Sequence, residues 1–309
     1  MNNRRELSYP SSDGIYTLYA TVWLPPEGDI RAIVQICHGM VEHMQRYEWL
    51  AGELTSRGFL VCGDDHLGHG RSAEKKEDLG YFGEKDGWRH LIEDEDGLRR
   101  IMEKEYPHLP YFLLGHSMGS FITRNYITLH GQGLAGYLCC GTGGRNNLIG
   151  FALLLSNLMV GLGRGRKKGV LLNKLAFRDY NSRYGEVVTG NEWLSRDDTN
   201  YRPFAKDPKC HFLFTNAGFR DLFTLLHKVS GRQWSDRVPK ELPLIVLSGD
   251  MDPVGGFGKG VRQVYDWLKA SGMKDLTLKL YPGARHELHN ESNRDEFVGD
   301  ITAWMEKRM

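Results

Sequence analysis

The stretch 111–119, YFLLGHSMG, constrains this chain more than any other. An apolar run ends in Gly115-His116-Ser117-Met118-Gly119, and a run of helical character, SFITRNYITLH, follows. The pattern predicts a strand that turns sharply, presents one serine hydroxyl at its end, and passes at once into a helix. Glycines at 115 and 119 suit that turn. It leaves no room for a Cβ beside the serine, and the helix must pack close to the strand. Such an elbow points to nucleophilic chemistry at Ser117. An alkanol hydroxyl is a poor nucleophile at neutral pH, so it needs a base nearby.

Two later segments supply candidates. LPLIVLSGDMD (242–252) is an apolar run with an acidic loop at its end, and LTLKLYPGARH (276–286) alternates, breaks at Pro282-Gly283 and reaches His286. His286 is the candidate base because it sits directly after a strand and turn. His289, three residues on, is its competitor and falls in the predicted following helix. Asp250 and Asp252 share the acidic loop, and the pattern alone leaves both open as the acid. Two backbone N–H groups should hold a developing oxyanion. One belongs to Met118, the residue after the nucleophile. The other is expected in His38-Gly39-Met40, where Gly39 lets the backbone turn its amide inward.

Elsewhere, strand patterns alternate with helical ones. Strands are expected over 16–23, 32–37, 59–63, 111–114 and 134–140, and helices over 46–56, 91–106, 262–270 and 296–307. That alternation implies a mostly parallel sheet covered on both faces. Ligands in such folds bind beyond the carboxyl ends of the strands, where Ser117, the acidic loop and His286 all fall. Residues 141–235 break the alternation and read as an insertion between two core strands. The chain has 309 residues, 40% of them hydrophobic, enough for a sizeable core, and a net charge of +1. No global field recruits nucleic acid. The opening MNNRRELSYPSSDG has no apolar h-region, so no signal peptide is expected. Five cysteines (Cys37, Cys62, Cys139, Cys140, Cys210) without regular spacing suit buried thiols in a reducing compartment, with the cytoplasm as the expected location.

Taken together, the motifs resemble a serine hydrolase of the α/β-hydrolase fold, in the monoacylglycerol lipase and lysophospholipase-like branch that includes the S33 serine aminopeptidases. The residues carrying the resemblance are His38-Gly39-Met40 with Glu42-His43 and Arg46-Tyr47, then Asp65-His66-Leu67-Gly68-His69-Gly70-Arg71-Ser72. Gly115 to Gly119, Gly249-Asp250-Met251-Asp252-Pro253-Val254 and Gly283-Ala284-Arg285-His286-Glu287-Leu288 complete it. They cover 33–140 and 236–309. The resemblance implies a mostly parallel central sheet flanked by helices, with a core of 1–140 and 236–309 and an inserted helical cap over 141–235. It selects Asp252, three residues after Gly249, as the acid, and Met40 as the second oxyanion amide. It implies ester hydrolysis through an acyl-enzyme, with monoacylglycerol or lysophospholipid as the substrate class and no cofactor. Alternatives in the same class are a short-chain or aryl esterase, or a serine aminopeptidase of small peptides. An alternative of another class is a non-catalytic, ligand-binding relative of receptor type, against which the intact Ser, Asp and His set argues.

Within the cap, LIGFALLLSNLMVGL (148–162) is too short and interrupted to span a bilayer, yet it is apolar on all sides. It is either a packed helix or a lid that lines an acyl tunnel or touches a membrane or micelle. On the tunnel reading, Phe151, Leu154, Leu155, Leu158 and Met159 line the passage above Ser117. On the membrane reading, Arg164, Arg166, Lys167 and Lys168 lie near phosphates. No metal is expected. His66 and His69 lie in a glycine-rich loop, and no H-E-x-x-H or cysteine pairing is present. Asp65 and Arg71, like Glu42, His43 and Arg46, are expected to brace loops around the site.

Overall fold

The computed structural model describes residues 3–309. The chain enters on an antiparallel hairpin of β1 (Asn3–Pro10) and β2 (Thr17–Leu24). β1 is mostly polar and exposed at the sheet edge, so no apolar pattern announces it. Then come β3 (Ala32–Cys37), α1 (Glu48–Thr55), β4 (Phe59–Asp65), α2 (Gly87–Glu105), β5 (Tyr111–His116), α3 (Met118–His130) and β6 (Gly136–Cys140). Four helices intervene before the sheet resumes: α4 (Ile149–Met159), α5 (Val170–Phe177), α6 (Asp198–Phe204) and α7 (Asn216–Val229). β7 (Leu244–Gly249), α8 (Lys259–Ala270), β8 (Leu276–Tyr281) and α9 (Arg294–Glu306) complete the chain.

The described residues form an eight-stranded sheet in the order β1-β2-β4-β3-β5-β6-β7-β8. β2 runs antiparallel to β4, and the ladders from β4 to β8 are parallel. Neighbouring residues along a strand face opposite sides. Ile33, Leu113, Tyr137 and Val246 pack on one side with apolar residues of α2, α3, α7 and α8. Val34, Leu114, Leu138 and Leu247 pack on the other with α1 and α9. Each fully buried Leu, Ile or Val contributes about 1.5–3 kcal/mol, so this double burial fixes the register. All five cysteines are buried and free, and Cys139 and Cys140 face opposite sides of β6.

After β3 the chain moves to β4 on one side, then returns to β5 on the other. The strand order therefore reverses between β3 and β5, and a crevice opens at their carboxyl ends. The register Cys37↔Gly115 sets His38-Gly39-Met40 beside Ser117 across that crevice.

Of the inserted segment, α7 packs against α2 and α3 and thus joins the helical layer on the sheet, while α4 rests on α7. Thr215 caps α7, accepting from the Gly218 N–H, and its own N–H donates to Gly80 O at 2.9 Å. The basic run after α4 turns back onto the core. Arg166 pairs with Asp78 at 3.2 Å and stacks on Tyr81, and Lys168 donates to Leu79 O at 2.6 Å. These two cations therefore tie the segment after α4 to the core. Their reach to core carbonyls and Asp78 depends on how the chain folds back after Gly163, which no local pattern encodes.

Candidate active site

Ser117 sits at the end of β5 with φ 54° and ψ −119°. That backbone region is sparsely populated for a residue with a Cβ, at a cost of about 1–3 kcal/mol. Hydrogen bonds hold it there: Ser117 N donates to Cys140 O at 3.1 Å, and Ser120 N donates to Ser117 O at 2.9 Å. Gly119 makes the turn sterically allowed, since a Cβ there would stand 2.0 Å from Cys37 O.

Met118 is the first residue of α3, so its N–H is among those a helix leaves without an intrahelical acceptor. Met40 lines the same cavity as Ser117. The amides on either side of Met40 are committed elsewhere: Gly39 N donates to Glu42 Oε1, and Val41 N to His69 Nε2 at 3.2 Å. The loop is close to the elbow, for a Cβ on Gly39 would lie 3.1 Å from Ser117 Cβ.

His286 is buried beside the same cavity, with Nδ1 3.0 Å from Asp252 Oδ2. The angle of that contact falls short of a linear hydrogen bond, and Nε2 has no protein partner. Asp252 is fully buried and held on both oxygens: Val254 N donates to Oδ1 at 2.8 Å and Ser248 Oγ to Oδ2 at 3.1 Å. Asp250 points elsewhere and accepts from Gly283 N at 2.7 Å, pinning the turn after β8. His289 lies below the site, stacked on Tyr47 with ring centroids 4.5 Å apart. Burial pushes its pKa down to about 3, so it stays neutral. The structure thus brings Ser117, His286 and Asp252 together and leaves Asp250 and His289 in bracing positions.

Beneath them lies a buried polar network. Arg46 forms a bidentate pair with Glu287, both bonds 2.7 Å, and reaches Glu42 at 2.6 Å. Glu42 also accepts from Tyr47 OH at 2.9 Å. Burial alone would raise the Glu42 pKa, but His116 and Arg46 hold it well below the usual carboxylate range. Burial likewise opposes charge on His116, yet Glu42 raises its pKa. His116 Nε2 lies 3.3 Å from His286 O, so the network ties the loop carrying Met40 to the loop carrying His286.

The cavity above Ser117 has a volume of about 1250 Å³. Its apolar wall comes from Leu148, Ile149, Phe151 and Ala152 at the start of α4, Leu172 and Phe177 of α5, and Leu222, Phe223 and Leu226 of α7. Of the five cap residues expected to line the passage, only Phe151 does so. Leu155 and Met159 pack against the core, and Leu154 and Leu158 turn outward, Leu154 with 68% of its surface exposed. A helix apolar on every side can bury only one stripe, and its pattern does not say which. The wall residues of α5 and α7 carried no motif. Neither did Trp193, whose ring centroid lies 4.9 Å from that of His286, because it is far away in the sequence.

A family model described as Hydrolase_4, serine aminopeptidase S33, matches residues 28–293. The chain belongs to this family. As an S33-family member it also resembles the monoacylglycerol lipase of Mycolicibacterium smegmatis, at 30% identity over 98% of each chain. The monoglyceride lipase of Homo sapiens is 29% identical, covering 96% of this chain and 89% of that protein. Among solved structures, a thermostable carboxyl esterase from Bacillus coagulans, in complex with glycerol, superposes with a TM-score of 0.93 at 34% identity, covering 99% of this chain and 98% of that one. This S33-family chain is a serine ester hydrolase with the α/β-hydrolase fold.

Proposed function

We propose that Ser117, His286 and Asp252 form the catalytic triad of a monoacyl-lipid esterase. The observation that carries the triad is the 3.0 Å contact of His286 Nδ1 with Asp252, on a ring that shares one cavity with Ser117. In the reaction, Ser117 Oγ attacks the ester carbonyl as His286 Nε2 takes its proton. The amides of Met40 and Met118 receive the oxyanion. His286 then protonates the leaving alcohol, and water hydrolyses the acyl-enzyme by the same route. Asp252 fixes the imidazole tautomer and stabilises the imidazolium. No step calls for a cofactor.

The substrate class rests on two features. The apolar wall accommodates an acyl chain, each buried methylene contributing about 0.8 kcal/mol. The outer face of the cap exposes Leu154, Leu158 and Leu162, joined by Val170 and Leu171. Such a patch suits transient contact with a membrane or micelle that holds the substrate. No helix among the described residues is long and apolar enough to cross a membrane. The names of the lipase relatives agree with a monoacylglycerol, and buried free thiols suit the cytoplasm.

A short-chain or aryl esterase is the second reading, favoured by the aromatic wall of Phe177, Tyr180 and Trp193 beside His286. Two experiments test the assignment. A fluorophosphonate probe should label Ser117, and absence of labelling would favour a binding protein. A panel of p-nitrophenyl esters from acetate to palmitate, beside monoacylglycerol, lysophospholipid and an aminoacyl anilide, separates the substrate readings. Falling kcat/KM from acetate onward would reject the monoacyl-lipid reading, and cleavage of the anilide alone would favour the peptidase.

A further inference from the structure

His43, Asp207 and Cys210 bring an imidazole, a carboxylate and a thiol to one point where the cap meets the core. His43 lies three residues past Met40, with its ring buried. Its Nε2 is 2.9 Å from Asp207 Oδ2. Asp207 follows α6 in a turn closed by Cys210 N donating to Asp207 O at 2.9 Å. Lys209 N occupies the other carboxylate oxygen, at 2.8 Å, which leaves Oδ2 to face His43. One donor atom from each of the three residues lies within 4.8 Å of the other two.

We propose that these three side chains form a binding site for a zinc-class divalent cation, which would clasp the cap to the loop carrying Met40. The donor set suits a borderline-soft ion, since imidazole, thiolate and carboxylate are the zinc ligands of proteins. Around a tetrahedral zinc, such donors stand about 3.4–3.5 Å apart. The His43 and Asp207 donors are 2.9 Å apart and all three donors lie within 4.8 Å of one another, so side-chain rotation can close the set. Charge also balances, because one thiolate and one carboxylate neutralise a divalent ion. Arg46, whose charge Cys210 feels, is already paired with Glu42 and Glu287. Cys210 lines the cavity above Ser117, so an ion has a route in and a water can fill the fourth position.

Two other groups of potential ligands lack these features. Cys37, His66 and Glu95 are sealed in the core, and in the set of Glu93, Asp96 and His130 the Asp96 carboxylate is taken by Arg100 and Tyr126.

Binding exchanges the Cys210 proton for the metal: the S–H bond breaks, an S–metal bond forms, and one proton leaves to solvent. The His43 ring donates from Nε2 to Asp207 in the metal-free site and passes that proton to Nδ1 so that Nε2 can bind, with no net proton change. Affinity should therefore rise with pH.

The test uses the full chain, stripped of metal by a chelator and titrated with Co²⁺ and then Zn²⁺. The expected result is one ion per chain, a thiolate-to-cobalt charge-transfer band lost on adding Zn²⁺, and release of about one proton. Cys210→Ser should abolish the band, and Asp207→Asn should weaken Zn²⁺ by about 100-fold or more. Cys139→Ser, in the core, should change neither. In the wild-type chain Zn²⁺ should protect Cys210 from alkylation, read by mass spectrometry, which requires no variant to fold. A missing thiolate band, unprotected Cys210, or equal affinity in the Asp207→Asn variant would overturn the site.

Discussion

At residue scale the decisive contrast is between Asp252 and Asp250, two residues apart with different partners. Asp252→Asn should lower kcat by about 10³–10⁴, because the imidazole loses its tautomer control and counter-charge. Asp250→Asn keeps an oxygen for Gly283 N and should cost less than about 10-fold. Steady-state kinetics on one ester decides the matter, and a reversed order would move the acid by two residues. Ser117→Ala should lower kcat on the order of 10⁶-fold while the melting temperature stays within a few degrees, since alanine keeps both the Cβ and the unusual backbone. A folded variant with near-normal turnover would remove Ser117 from the mechanism. Both acids were visible in the sequence as a pair. Choosing between them needed the family spacing, because the difference lies in what each carboxylate meets after folding.

At the scale of elements the cap divides into an inner and an outer surface. Leu154→Glu with Leu158→Glu places charge on the outer face of α4, away from the cavity. Turnover of p-nitrophenyl acetate should stay within about two-fold, whereas turnover of monoacylglycerol held in vesicles should drop about ten-fold or more. Equal losses on both substrates would reject the docking face. Leu222→Gln instead alters the cavity wall on α7 and should flatten the rise of kcat/KM with acyl length. The sequence was legible where structure is local. Strands β3 to β8 were found because apolar runs end at glycine or proline, and the elbow because its glycines are sterically obliged. What stayed hidden depends on distant partners. The orientation of α4 is decided by α7, the place of Trp193 by its contact with His286, and β1 by pairing with β2.

Across the whole molecule, buried titratable groups set opposing limits on stability with pH. Burial lowers the pKa of His66 to about 4 and of His69 and His289 to about 3, and His38 shifts the same way. A lowered histidine pKa contributes stability above pH ~6.5 that is lost as pH falls toward the folded value. Burial raises Asp64 and Asp221 to about 6 and Asp94 to about 7, with Glu95 also raised. Those carboxylates act oppositely, their contribution present below pH ~4 and lost as pH rises through 6–7. Four histidines and four carboxylates oppose one another between pH ~4 and ~6.5, so melting temperature should be nearly flat over that interval and should fall on either side, below pH ~4 as the histidines protonate and above pH ~6.5 as the carboxylates ionise. His69→Gln should soften the acid limb and Asp94→Asn the alkaline one. A melting temperature that climbs steadily from pH 5 to 8 would contradict this balance.

The segment after α5 has a different consequence. His286 N and Glu287 N donate to Trp193 O and Leu194 O, Tyr184 OH reaches Met251 O, and Arg285 holds the carbonyls of Glu192 and Ser195. This part of the insertion is a splint for the loops bearing Asp252 and His286. Trading lids between relatives should therefore succeed with crossover points near 147 and 178. A transplant of the entire 141–235 stretch would carry away the scaffolding of the host's own loops at Asp252 and His286.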